Sequence, residues 1–289
     1  MPILAFAAVL LAALTHATWN YFAKRAAGSR HFVWLYSIGS ILLYGPIVAW
    51  IVILERPQFT GIHWIALLAT GVLHTGYSML LQAGYRTSDL SLVYPIARGT
   101  GPLLSFIAAT LFLHEPANSL SVLGVLLIVG GILLVSGLTS SGHKAPRAGV
   151  AFGVVTGVFI AAYTVNDGWA VKVLMISPFL IDFCGNLFRV GILTPMVMRD
   201  PAGMMREARE YRLAIAAVAV LGPMGYILVL FAMQVAPIGH VAPARELATL
   251  VGSYFGVKLL KERMTPARVL GAMLIVVGVI SLAITRPAS

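Results

Sequence analysis

Two arginines stand where an apolar chain can least accommodate them. Arg98 and Arg245 each follow a proline, Pro95 and Pro243, inside long hydrophobic stretches. A charged side chain near the centre of a bilayer costs about 3 kcal/mol on insertion scales, so each needs a task or a partner. The guanidinium is a planar fork that matches a carboxylate, phosphate or phosphonate group. One reading is that the pair lines a pathway and binds such a group. The other is that both snorkel or pair with acidic neighbours as bundle staples. Glu246, next to Arg245, is the deepest carboxylate of its segment. It is suited to reversible proton binding, although the adjacent guanidinium favours its charged form. Asp182, Asn186 and Arg189 follow at spacings of four and three, on one helical face. They are expected to form an internal charge pair or to touch cargo.

A second group is polar and aromatic. His16 and Asn20 are four apart beside Trp19, and Tyr163, Asn166 and Asp167 occupy the matching place later in the chain. His74 and Tyr77 fall in one segment, Tyr94 precedes Pro95, and Gly225-Tyr226 repeats Gly76-Tyr77. Converging, these groups would make a cavity able to hold a small amphiphile. Trp19, Trp34, Trp64 and Trp169 also suit interfacial anchoring, and Asp167 is expected at an outer helix end. Catalytic alternatives lack their residues. There is no His-Glu-x-x-His, no Gly-Lys-Ser phosphate loop and one cysteine, Cys184, and the seven histidines are scattered. No metal, cofactor or enzymatic activity is expected.

The elements that must position these groups are membrane helices. The 289 residues are 59% hydrophobic and 10% charged, against about 25% charged in soluble proteins. Ten apolar segments are long enough to span: 3–22, 32–54, 62–84, 90–113, 120–138, 147–166, 178–198, 212–235, 240–260 and 266–284. The expectation is an all-α membrane protein whose first segment is itself a span, with the net charge of +10 setting orientation rather than binding nucleic acid. Fourteen lysines and arginines follow the odd-numbered spans, three lie on the other side and three (Arg98, Arg189, Arg245) fall inside spans. Positive loops stay in the cytoplasm, which puts both termini outside.

The chain also repeats itself. Shifted by 147 residues, the stretch 97–134 matches the stretch 244–281 at eleven positions, among them Arg98/Arg245, Glu115/Glu262, Gly124/Gly271 and Gly131/Gly278. Five spans per half place the second half the other way up, so residues 1–143 and 144–289 are expected as inverted five-helix repeats. Gly149, Gly153, Gly157 and Ala161 form a small-residue face. That face, or the glycine pairs of spans five and ten, suits packing within a monomer or across a homodimer.

The segments His-Ala-Thr-Trp-Asn (16–20), Asp-Leu-Ser-Leu-Val-Tyr-Pro-Ile-Ala-Arg-Gly (89–99), Val-Ala-Pro-Ala-Arg-Glu (241–246) and Leu-Lys-Glu-Arg (260–263) resemble the EamA-like branch of the drug/metabolite transporter superfamily. The resemblance extends over essentially the whole chain. It implies a ten-helix inverted-repeat carrier in a bacterial inner membrane, usually an exporter, with a central cavity. Members move amino acids, other metabolites or toxic compounds, so the family does not name the cargo. The residues themselves lead to the expectation of a small anionic or zwitterionic metabolite such as an amino acid, contacted by Arg98, Arg245, His16, Asn20, Tyr77, Tyr94, Tyr163 and Tyr226, with protons as a coupling ion. The alternative is proton-coupled export of lipophilic cations through membrane carboxylates. One departure stands out: several ten-helix relatives keep their termini in the cytoplasm.

Overall fold

Large aliphatic side chains such as Leu42, Ile53, Ile65, Leu111 and Leu213 lie exposed along the outside of the helices, while small and polar residues turn inward. That is the inverse of a water-soluble surface and suits a hydrocarbon surround. The computed structural model describes residues 1–26, 29–88, 90–136, 146–251, 254 and 265–285. Among them there are eleven helices and no strand: α1 (Ile3–Arg25), α2 (Phe32–Glu55), α3 (Gly61–Thr87), α4 (Leu90–Phe112), α5 (Ser119–Val135), α6 (Arg147–Lys172), α7 (Pro178–Val197), α8 (Pro201–Glu210), α9 (Arg212–Val235), α10 (Ile238–Ala244) and α11 (Pro266–Ile284). Seven of these, namely α1, α2, α3, α6, α7, α9 and α11, are long and apolar enough to cross a membrane, and α5 is a shorter apolar helix.

Two segments depart from the sequence reading. Within the expected continuous span 240–260, the described residues form a seven-residue helix, α10, then turns at Arg245 and Glu246, with helical residues resuming at 247–251. Pro243 lacks an N–H and its ring crowds the preceding turn, so the hydrogen bonds tighten to Glu246 N–H onto Pro243 and Ala248 N–H onto Arg245. The arginine is thereby presented at a helix end. The stretch after α7, expected as a basic loop, is the helix α8. Asp200 caps it by accepting from Gly203 N–H at 2.9 Å. Glu207 ties it to the α1–α2 connection by accepting from Ser29 Oγ, Arg30 N–H and His31 N–H. Asp89, His143, Lys144, Lys258, Lys261, Glu262, Arg263 and Arg286 lie outside the described residues, as does the boundary expected at 143/144.

Between apolar helices in lipid there is no water to expel, so close packing must hold them. The small-residue faces supply it, and they are spent inside the chain. Gly153 and Gly157 of α6 lie where a Cβ would meet Ile96 and Thr100 of α4 at 2.8 and 2.6 Å. Gly124 and Gly131 of α5 face Gly278 and Gly271 of α11. Further contacts pair α1 with α9, α3 with α6 and α7, α2 with α7 and α9, α4 with α5, α6 with α9, and α10 with α4. Neither glycine face is left over for a homodimer.

A Cβ on Gly278 would lie 2.5 Å from the Gly124 carbonyl oxygen, whereas one on Gly130 meets nothing within 4 Å. Overpacking costs about 1–3 kcal/mol. Gly278→Ala is therefore expected to lower the unfolding temperature in detergent, with Gly130→Ala matching the parent. Equal melting of both variants would contradict the seam.

Candidate functional site

The inward faces of α1, α2, α3, α4, α6, α7 and α9, with the turn after α10, enclose a cavity of about 390 Å³. Trp19, Asn20, Tyr36, Tyr85 and Tyr94 lie close to the connected ends of α1/α2 and α3/α4, so the cavity runs toward that end of the bundle. The far end is tied shut. Glu115, beyond α4, accepts from Lys172 Nζ at 2.8 Å and from Ile238 and Gly239 N–H at 2.9 Å each, and Lys172 also reaches the Ala236 carbonyl. One carboxylate thus holds the ends of α6 and α10 together. Nothing in the sequence but the Glu115/Glu262 repeat hinted at this.

All eight residues expected to contact cargo stand on the wall of this one cavity: His16, Asn20, Tyr77, Tyr94, Arg98, Tyr163, Tyr226 and Arg245. The two arginines are not equivalent there. Arg98 is buried and grips Glu246 through two bonds, Nε to Oε2 at 3.1 Å and Nη2 to Oε1 at 3.0 Å. Thr249 Oγ1 donates to the same carboxylate at 3.2 Å. The charges 148 positions apart therefore satisfy each other, the staple reading for Arg98 and Glu246. Arg245 is half-buried and lies over the ring of Tyr226 at 5.6 Å. Among the described residues no carboxylate comes within ion-pair distance of it.

Asp182 and Arg189 also reach the cavity, but they do not form the direct pair that their spacing suggested. Asn186 stands between them: its Nδ2 donates to Asp182 Oδ2 at 2.9 Å, and its Oδ1 accepts from Arg189 Nη1 at 3.1 Å. Spacings of four and three put all three on one face, and the middle residue takes the near partner on each side.

Asp167 departs furthest from expectation. It is wholly buried, not interfacial. Thr70 Oγ1 donates to Oδ1, as does Asn166 Nδ2 at 2.9 Å, while Tyr226 Oη at 2.5 Å and His74 Nε2 at 2.9 Å meet Oδ2. His74 stacks on Tyr163 at 4.0 Å, and Tyr77 and Tyr226 meet Tyr163 edge-on. The four-residue step from Tyr163 to Asp167 was the available signal that both share an inward face. His16 lies edge-on to Trp19 at 5.0 Å, and Asn20 Nδ2 donates to the His16 carbonyl. Among the described residues no group of acids, histidines and cysteines is disposed to hold a metal.

Removing one partner of a buried pair leaves the other's charge uncompensated, at about 3–5 kcal/mol. Glu246→Gln is expected to destabilise the folded protein by that order, and Arg98→Met with Glu246→Met to recover most of the loss. Unfolding temperatures check this; a Glu246→Gln variant as stable as the parent would contradict the staple.

The EamA-like transporter family profile matches this chain at residues 3–137 and again at 147–284. "Putative sugar uptake protein lmo0176" of Listeria monocytogenes is 24% identical over 232 residues, covering 76% of this chain and 78% of that protein. Its Listeria innocua counterpart lin0215, which carries the same description, is 22% identical over the same shares. A solved crystal structure superposes with a TM-score of 0.71 at 17% identity, over 98% of this chain and 97% of that one, and shares the fold. The protein is a multi-pass membrane transporter, not an enzyme, and belongs to the EamA-like transporter family.

Proposed function

We propose that this chain is a secondary carrier of a small anionic or zwitterionic metabolite, such as an amino acid, working by alternating access between two inverted five-helix repeats, 1–143 and 144–289. The observation that carries the cargo class is Arg245, a guanidinium on the cavity wall with no carboxylate at ion-pair distance among the described residues. Its planar fork is available to an acidic group, and the tyrosines around it would enclose the rest of the molecule. Asp182, across the same cavity, would take the ammonium of a zwitterion. Lipophilic-cation export would use the carboxylates instead. It is less well supported, because Glu246 is already held by Arg98.

The repeat reading is supported by the double match of the family profile and by the packing. Exchanging α1 with α6, α2 with α7, α3 with α9, α4 with α10 and α5 with α11 turns the α1–α9 contact into α6–α3 and α2–α9 into α7–α3, and leaves α5–α11 and α2–α7 unchanged. In a carrier built so, the state with Arg98 paired and Arg245 free has a counterpart in which Arg98 is released to the cargo. The positive loops put the cavity mouth on the cytoplasmic side of a bacterial inner membrane, with both termini outside. Export, implied by the resemblance, and uptake, the word in the relatives' names, are opposite directions of one reversible cycle.

A neutral, hydroxyl-rich cargo is a second reading. It is favoured by Asn20, Tyr36 and Tyr77 on the wall and by the relatives described as sugar uptake proteins. A thermal-shift and counterflow screen of glutamate, alanine, inorganic phosphate, glucose and tetraphenylphosphonium separates these possibilities. Saturating cargo at 100 times its dissociation constant adds about 2.7 kcal/mol of stability. The anionic reading expects an acid or zwitterion to stabilise the protein and exchange across proteoliposomes. Arg245→Ala should weaken it roughly tenfold to a hundredfold, the worth of a charge-assisted hydrogen bond, with Arg245→Lys intermediate. Exchange of glucose unaffected by Arg245→Ala would establish the sugar reading in its place.

A further inference from the structure

Asp167 is a carboxylate with no solvent exposure, inside a membrane helix, held by four side-chain donors. Three of them, Thr70, Asn166 and Tyr226, are neutral. The fourth, His74, is the one group of the cluster that can add a whole positive charge. Its side chain is 15% exposed and lines the cavity. While Asp167 is ionised, His74 Nε2 carries the hydrogen that bonds Oδ2, as the 2.9 Å separation requires. Its Nδ1 has no protein partner among the described residues, which leaves that lone pair to the cavity.

We propose that His74 and Asp167 form a proton-binding site in the cavity wall, and that Arg245, acting through Tyr226, couples its occupancy to that of an anionic cargo. The step is simple. A proton from cavity water adds to Nδ1 of His74, no other bond changes, and the buried anion becomes half of a neutral imidazolium–carboxylate pair. Tyr226 makes the coupling. Its hydroxyl donates to Asp167 while its ring lies 5.6 Å beneath the Arg245 guanidinium. With the cavity empty, Arg245 is the positive charge that partly offsets Asp167 across the ring. An anion that binds Arg245 cancels that offset, and the carboxylate then favours a proton on His74. By linkage, a proton on His74 must strengthen anion binding equally. Cargo and proton thus bind together and travel in the same direction.

The other charged and titratable groups facing the cluster do not replace this pair. From α1 comes His16, stacked edge-on to Trp19; from α4 comes Arg98, already held by Glu246. From α3, α6 and α9 come Tyr77, Tyr163 and Tyr226, and from α7 come Asp182 and Arg189, linked through Asn186. Of the two imidazoles on the cavity wall, His16 and His74, only His74 is bonded to a buried carboxylate.

The proposal rests on the anionic-cargo reading for its coupling but not for its site, and the test separates the two. Histidine-labelled protein in nanodiscs, with the His74 resonance assigned by His74→Gln, reports the protonated fraction against pH without any cargo. Asp167→Asn, nearly isosteric, is expected to reduce proton affinity at His74 at least about tenfold. Arg245→Ala, which mimics a cancelled guanidinium and touches neither residue, is expected to increase it severalfold, with Arg245→Lys close to the parent. A titration unmoved by both variants overturns the proposal. In proteoliposomes without internal cargo, net glutamate or phosphate uptake should carry protons inward in the parent and lose that proton movement in His74→Gln. Cargo movement with proton flux unchanged in His74→Gln also overturns it. If only glucose moves while the two titration shifts appear, the site stands and the cargo reading falls.

Discussion

A charge in hydrocarbon has to be answered, and the way each is answered here organises the molecule. The tightest answer is the two-bonded pair of Arg98 and Glu246, drawn from opposite ends of the sequence. It holds the middle of α4 against the turn after α10. The remaining ionic groups follow the same rule by other means. Asp167 is surrounded by neutral donors and one histidine, Asp182 and Arg189 share an asparagine, and Glu115 gathers a lysine and two backbone N–H groups. Arg245 is held differently, over the ring of Tyr226 and, among the described residues, with no carboxylate at ion-pair distance. Among the described residues of the cavity wall, Arg245 is the guanidinium held by a ring face alone, whereas Arg98 has a carboxylate and Arg189 the Asn186 oxygen, so Arg245 is the one most open to a ligand's charge.

The scaffold follows from a second constraint. Without water to drive association, helices in lipid adhere by close approach, and glycine permits it. The reciprocal glycines of α5 and α11 bring backbone against backbone, while the glycine face of α6 receives Ile96 and Thr100 of α4. At these seams the helices lie so close that an added methyl group would not fit. The groups that enclose the cavity are instead side chains on helices that meet through aromatic edges and single hydrogen bonds.

Much of this was legible in the residues. Hydropathy located the helices α1 to α7, α9 and α11, because a long apolar run has few alternatives. The repeat of Arg98 and Arg245 pointed to the centre, and the four-residue steps of His16/Asn20 and Asp182/Asn186 located inward faces. Other features were hidden for physical reasons. That Arg98 rather than Arg245 takes Glu246 depends on how two distant segments dock, which adjacency in the chain misrepresents. Pro243 announced an interrupted span but not that the helix would end at the arginine. Asp167 looked interfacial because it lies five residues from the end of α6, and distance from a helix end says nothing of which neighbours cover it. Beyond its repeat partner Glu262, Glu115 gave no sign of its role, since capping a helix across the bundle leaves no local pattern.

The central claim is that the cavity, now open at one end, closes there as the Glu115–Lys172 end parts. Spin labels on a Cys184→Ser background test it most directly, one pair at Thr87 and Leu213 beside the mouth, the other at the exposed Val173 and Val235 beside the sealed end. Distances are measured in nanodiscs with and without glutamate, phosphate or glucose. The account predicts two populations that change in opposite senses, a shorter mouth distance accompanying a longer one at the far end. Fixed distances at both ends under every condition, or both ends widening together, would contradict it.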